Sequence, residues 1–119
     1  MRSALTTIYF LLTEGQHSRW HRVASDEMWH FYEGDALELY WVDGGKVYQE
    51  VIGAKSANAQ PICVVPGGCW QAAKPLGGYT LVGCTVAPGF DFQDFEMLSK
   101  TSPMFAQITS LRATLGEFA

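Results

Sequence analysis

Three stretches of this 119-residue chain concentrate side chains able to do chemistry: residues 18–23 (SRWHRV), 26–34 (DEMWHFYEG) and 66–73 (PGGCWQAA). They carry two imidazoles, His21 and His30, with Glu27 close in sequence and Trp20, Trp29 and Trp70 interleaved. An imidazole titrates near working pH, so it is the usual base for taking a proton next to a carbonyl, and a nearby carboxylate can orient it. Aromatic faces beside a few polar groups are also the make-up of a small-molecule pocket. His17 falls in a polar turn and reads as solvated. Cys63, Cys69 and Cys84 are odd in number and form no Cys-x-x-Cys pair, so they read as reduced, small apolar residues of a cytoplasmic protein.

The elements that must position these groups are mostly strands. Residues 5–12 are rich in β-branched and aromatic types. Short runs follow at 19–23 and 27–33. Residues 37–42 put Leu37, Leu39 and Trp41 on one face and Glu38 and Tyr40 on the other. Asp43-Gly44-Gly45 is a hairpin signal, with 46–52 as the returning strand. Residues 53–60 read as a loop. Further strands at 62–65, 69–73 and 79–86 are punctuated by Pro66-Gly67-Gly68, by 75–78 and by Pro88-Gly89. Short strands at this density imply a sandwich or small barrel. Ser102-Pro103 opens a helix, and Met104, Ile108, Leu111 and Leu115 recur at helical spacing up to Gly116. Asp91, Asp94 and Glu96 read as a solvated or helix-starting run.

Composition limits the function classes. Eight Lys and Arg against twelve Asp and Glu leave a formal charge of −4, with no basic block to follow a phosphate backbone. Nucleic acid is therefore not an expected partner. The apolar run at 8–12 is too short for a signal peptide or a membrane span, so no membrane partner is expected. A low charged fraction of 17% beside 48% hydrophobic residues suits a single domain that hides apolar area against a partner, and a homodimer is expected.

In residues 18–34 and 66–71 the chain resembles the cupins, small double-stranded β-helix barrels. Their first motif runs His-x-His, three or four residues, Glu, six residues, Gly. His21, Glu27 and Gly34 fill it, and Val23 stands where the second His belongs. Their second motif, Pro-x-Gly-x-x-His, is filled by Pro66, Gly68 and Gln71, with Gln71 in the His position. Trp20-His21-Arg22, the run 26–34, Val65 to Ala72 and Gly83 to Phe92 are similar to one branch, the small uncharacterised family called cupin type five. The match runs from about residue 2 to residue 96. Members of that branch carry a His-Pro-Glu-Gly-Gly-Tyr-like segment ahead of the first matching strand, which this sequence does not contain.

The resemblance implies an all-β cupin jelly roll over about 1–92 with a helical tail over about 93–119, in one domain. It implies a ligand site in the barrel lined by His21, Glu27, Trp29 and Gln71, suited to a small polar or carbohydrate-like molecule. The alternatives are a sugar epimerase- or isomerase-like enzyme with His30 or His21 as base, and a metal-dependent enzyme. Cupin metals sit on three imidazoles and a carboxylate. Here His21, Glu27 and Gln71 are the matching positions, so no cofactor is expected, or at most a weakly held divalent metal. Strict alternation from Glu27 turns His30 to the opposite face, and a bulge would reverse that. An inward base, a buried His and an interface residue all remain open for His30.

Overall fold

The computed structural model describes residues 2–119. Nine strands form: β1 (Thr6–Thr13), β2 (His21–Arg22), β3 (Asp26–Gly34), β4 (Leu37–Asp43), β5 (Lys46–Ile52), β6 (Ile62–Val65), β7 (Trp70–Pro75), β8 (Tyr79–Ala87) and β9 (Glu96–Met97). One helix, α1 (Pro103–Leu111), follows. The strands pair into two antiparallel sheets, ordered β1-β8-β3-β6 and β5-β4-β7-β2-β9. The β4–β5 hairpin turns on Gly44 and Gly45, whose φ values of 58° and 79° suit a residue without a Cβ. This is a jelly roll, the all-β architecture that the resemblance implied.

Each strand serves two layers through its alternation. Between the sheets, Leu12, Trp29, Leu37, Leu39, Ile52, Val65 and Val82 form one buried cluster. Outside the five-stranded sheet, Trp20, Tyr40, Val42, Trp70 and Ala72 pack on Leu98 and on Ile108, Leu115 and Phe118 of the tail. The tail is tied down by polar bonds as well: Trp20 Nε1 donates to the Leu115 carbonyl at 2.8 Å, and Trp20 N donates to the Phe118 carbonyl at 2.8 Å. Among the described residues, no helix is long and apolar enough to cross a membrane.

The tail differs from the single helix expected. Ser102 caps α1 by accepting from the Phe105 amide, with Pro103 behind it. The helix stops at Leu111, because Arg112 is extended (φ −159°) and a 3-10 segment then runs over Ala113–Phe118. That break turns Leu115 and Phe118 onto the sheet and leaves Leu111 exposed. The acidic run likewise starts no α-helix. Asp91 caps a single 3-10 turn over Phe92–Asp94, Asp94 pairs with Arg2, and Glu96 belongs to β9 and pairs with Arg22 at 2.8 Å.

Candidate functional site

The interior is hollow at one end. There, between the starts of β1 and β3 and the end of β8, lies a cavity of about 470 Å³, within the usual range for small-molecule sites. Its wall is mostly apolar: Ile8 and Phe10 from β1, Val23, Trp29 from β3, Val86 from β8, and Phe90, Phe95 and Met97 from the segment after β8. The polar groups are few. Glu27 and Cys84 line the wall from neighbouring strands, and Ser18, Arg19 and His21 border the cavity from β2 and the chain leading into it.

Glu27 is buried, and its position is fixed by a relay. The Trp29 indole N–H donates to Gln71 Oε1 at 2.8 Å, and Gln71 Nε2 donates to Glu27 Oε1 at 2.7 Å. An indole is only a donor, so it sets which way the Gln71 amide faces and thereby presents an N–H to Glu27. The Cys84 thiol also bonds to Glu27. Burial still dominates and holds the Glu27 carboxyl above its ordinary range, against the pull of those two bonds. Burial pushes the Cys84 thiol up as well, reinforced by the Glu27 charge, which makes it a poor nucleophile.

His21 sits where β2 pairs with both β7 and β9. Its Nδ1 lies 2.7 Å from the Arg19 carbonyl, and its ring stacks on Phe95 with centroids 5.9 Å apart. A carbonyl only accepts, so Nδ1 carries the proton and the neutral ring keeps its lone pair on Nε2. Burial holds His21 below its ordinary pKa, with the Arg19 bond opposing in part. The cavity thus holds an acid and a base that are both driven towards their neutral forms.

His21, Glu27 and Trp29 therefore meet at one cavity. Gln71 stands behind them, almost fully buried, and reaches the cavity only through its bonds to Glu27 and Trp29. His30 lies elsewhere. The bulge in β3 falls between Phe31 and Glu33, beyond His30, so the alternation from Glu27 is unbroken. His30 points out of the four-stranded sheet, bonds Thr85 Oγ1 at 2.8 Å and stacks on Tyr32. It has no part in the cavity. Sequence reasoning missed the β1 and post-β8 walls. The alternation of Thr6, Ile8, Phe10 and Leu12 was a usable signal for β1, whereas the return of Phe90 and Phe95 over the opening had none.

The residues present do not fit a cupin metal. Gln71 Oε1 is taken by the Trp29 indole, Val23 has no donor, and among the described residues no three His, Cys, Asp or Glu side chains come together. His21 Nε2 and Glu27 alone make an incomplete set for a divalent transition metal. All three cysteines are free, as read from their number.

Three solved structures place this geometry among known proteins. A Shewanella oneidensis protein superposes with a TM-score of 0.90 at 34% identity, over 99% of this chain and 76% of its own. A hypothetical protein from Leishmania major matches with a TM-score of 0.79 at 32% identity, over 97% of this chain and 73% of its own. A dTDP sugar isomerase from Desulfovibrio desulfuricans shares the fold at 12% identity, with a TM-score of 0.71 over 87% of this chain and 69% of its own. No curated protein matches. The family model Cupin_5, described as Cupin superfamily (DUF985), matches residues 1–98, which include both degenerate motifs and the cavity they line; the chain belongs to that family.

Proposed function

We propose that the hollow end of the barrel binds a small, neutral molecule with an apolar body and one carbonyl or hydroxy-carbonyl group. The observation that carries this reading is the contrast within the cavity, where a buried carboxyl stands in a wall made mainly of Ile8, Phe10, Val23, Trp29, Val86 and Phe90. A protonated Glu27 donates one hydrogen bond, and His21 Nε2 accepts one. A free sugar would leave most of its hydroxyls unpaired against those walls, at a cost of about 1–3 kcal/mol for each one buried. An apolar body gains roughly 25 cal/mol per Å² buried. The fit therefore favours a ketone with an apolar body over a carbohydrate. Thermal-shift measurements on matched sets of neutral ketones, their deoxygenated analogues and simple sugars test the preference. Stabilisation by the ketones alone supports it, and stabilisation by the sugars alone reverses it.

A second reading is favoured by the His21 tautomer. A neutral imidazole with its lone pair on Nε2 and a carboxyl that burial drives towards its neutral form are, in the same cavity, the parts needed for proton transfer next to a carbonyl. His21 Nε2 takes the proton from the hydroxyl-bearing carbon next to the carbonyl, and Glu27 gives a proton to the carbonyl oxygen to form an enediol; His21 then returns its proton to the former carbonyl carbon while Glu27 takes the proton of the neighbouring hydroxyl. The reaction is an isomerisation of a hydroxy-carbonyl without oxidant or reductant. Wash-in of solvent deuterium at that carbon, lost in His21→Gln, is the expected result. Equal wash-in by wild type and variant would remove His21 from the role.

A further inference from the structure

The strand that carries His21 is only two residues long, too short for its own ladder to hold an imidazole in place. The chain leading into it is fixed from outside. Ser18 N donates to the Ala73 carbonyl at 2.9 Å, and Ser18 Oγ accepts from the Ala73 amide at 2.7 Å. Ser18, Arg19 and His21 border the cavity, whereas Trp20 is fully buried and packs under the tail. The Trp20 indole N–H donates to the Leu115 carbonyl, and the Trp20 carbonyl accepts from the Leu98 amide at 3.0 Å.

One peptide unit in this stretch, the one joining Arg19 to Trp20, has a partner at each end. Its N–H donates to the Phe118 carbonyl at 2.8 Å. Its C=O accepts from His21 Nδ1 at 2.7 Å. A planar trans unit points these two groups to opposite sides, so a bond that draws the N–H towards the tail aims the carbonyl at the imidazole. Donating the N–H also polarises the unit and makes its carbonyl a stronger acceptor. Phe118 is itself anchored: its buried ring meets Trp20 edge-on with centroids 5.8 Å apart and lies 5.6 Å from the Tyr40 ring. We propose that Phe118 is a positioning residue for His21. By holding the Trp20 N–H it aims the Arg19 carbonyl, which keeps the His21 proton on Nδ1 and leaves Nε2 free for the cavity. The ring of Phe118 packs on the outer side of the five-stranded sheet, so the tail acts on the cavity through a single peptide unit. Its use there rests on His21 Nε2 serving as acceptor or base for the ligand.

Heteronuclear NMR of the histidine ring nitrogens reads the tautomer with no ligand present. His17→Gln and His30→Gln assign the His21 signals. Wild type is expected to show His21 with its proton on Nδ1. Phe118→Ala removes the ring that anchors the carbonyl and is expected to give a mixture of the Nδ1–H and Nε2–H forms. Phe118→Val keeps more of the packing and gives the same test should Phe118→Ala lose its fold by circular dichroism. Leu111→Ala, exposed on α1, is expected to leave the tautomer unchanged. α-Hydroxyacetophenone, a neutral hydroxy-ketone with an aromatic body, then serves as the probe of use. Its hydroxyl-bearing carbon is expected to take up solvent deuterium at least about tenfold faster with wild type than with Phe118→Ala. An Nε2–H form in wild type overturns the proposal, and so does an Nδ1–H form that persists in both Phe118 variants. The expected tautomers without deuterium uptake by wild type support the positioning and count instead against the proton-transfer reading.

Discussion

Along β3, Phe31 points into a barrel end packed with Leu37, Leu39, Ile52 and Val82, while Glu27 points into a cavity of about 470 Å³. The two ends share strands and differ in what those strands turn inward. At the packed end most inward residues are large hydrocarbons, with Ala73 and Cys69 between them, and together they fill the space. At the hollow end the inward set of Val23, Val86, Glu27, Cys84 and His21 leaves room. Trp29 is the partition, since it belongs to the packed cluster and also walls the cavity. The packed end anchors the strands, and that anchoring lets the other end remain open without collapse.

The partition is the place to break this division hardest. Trp29→Ala removes a fully buried indole and leaves Gln71 Oε1 without its donor. The expected loss is about 3–5 kcal/mol in urea unfolding, and a loss below 1 kcal/mol would mean the wall is not structural. Next in size, Leu39→Ala at the packed end is expected to cost about 2–5 kcal/mol, and Val86→Ala at the cavity about half that or less, because its methyls already border open space. Equal costs would contradict the difference between the ends.

A smaller effect concerns the donors. Combining Val23→His and Gln71→His supplies the imidazoles that the motif positions lack. Micromolar zinc is expected to raise the Tm of that variant and to leave wild type unchanged. A wild-type shift of equal size would show that the relay through Gln71 can be opened.

The subtlest signal is in pH. The Glu27 carboxyl is raised in the folded chain, so the folded state holds its proton more tightly than the unfolded one does. Its contribution is complete below the ordinary value of 4.5 and is lost as pH rises through the raised value. His21 is lowered, so its contribution is complete above 6.5 and is lost as pH falls through the lowered value. Glu27→Gln should flatten stability on the rising side and His21→Gln on the falling side. Unfolding followed from pH 4 to 8 reads both, and a profile indifferent to either change would remove the burial argument.

Much of this was legible in the sequence because strand alternation and turn chemistry are local. The β4 faces, the Asp43-Gly44-Gly45 hairpin and the Ser102 cap all follow from neighbours in the chain. The two motif remnants led to His21, Glu27 and Gln71 as one group. Spacing could not tell that Gln71 stands behind Glu27, since that depends on an indole 42 residues away. It could not place Phe90 and Phe95 over the opening or end α1 at Leu111, because contacts across the fold decide both. For His30, spacing left the side open until the bulge was located beyond it.

The central claim is that the hollow end takes a ligand with an apolar body and a carbonyl. A neutral naphthyl ketone dye, whose emission moves to the blue in dry surroundings, tests it most directly. Titrated into the protein, it is expected to show saturable one-to-one binding with a blue shift. Glu27→Leu should weaken that binding by about tenfold, the loss of one hydrogen bond, and Val23→Trp, which fills the cavity, should abolish it. Absence of saturable binding to wild type, or binding that survives Val23→Trp unchanged, would contradict the account.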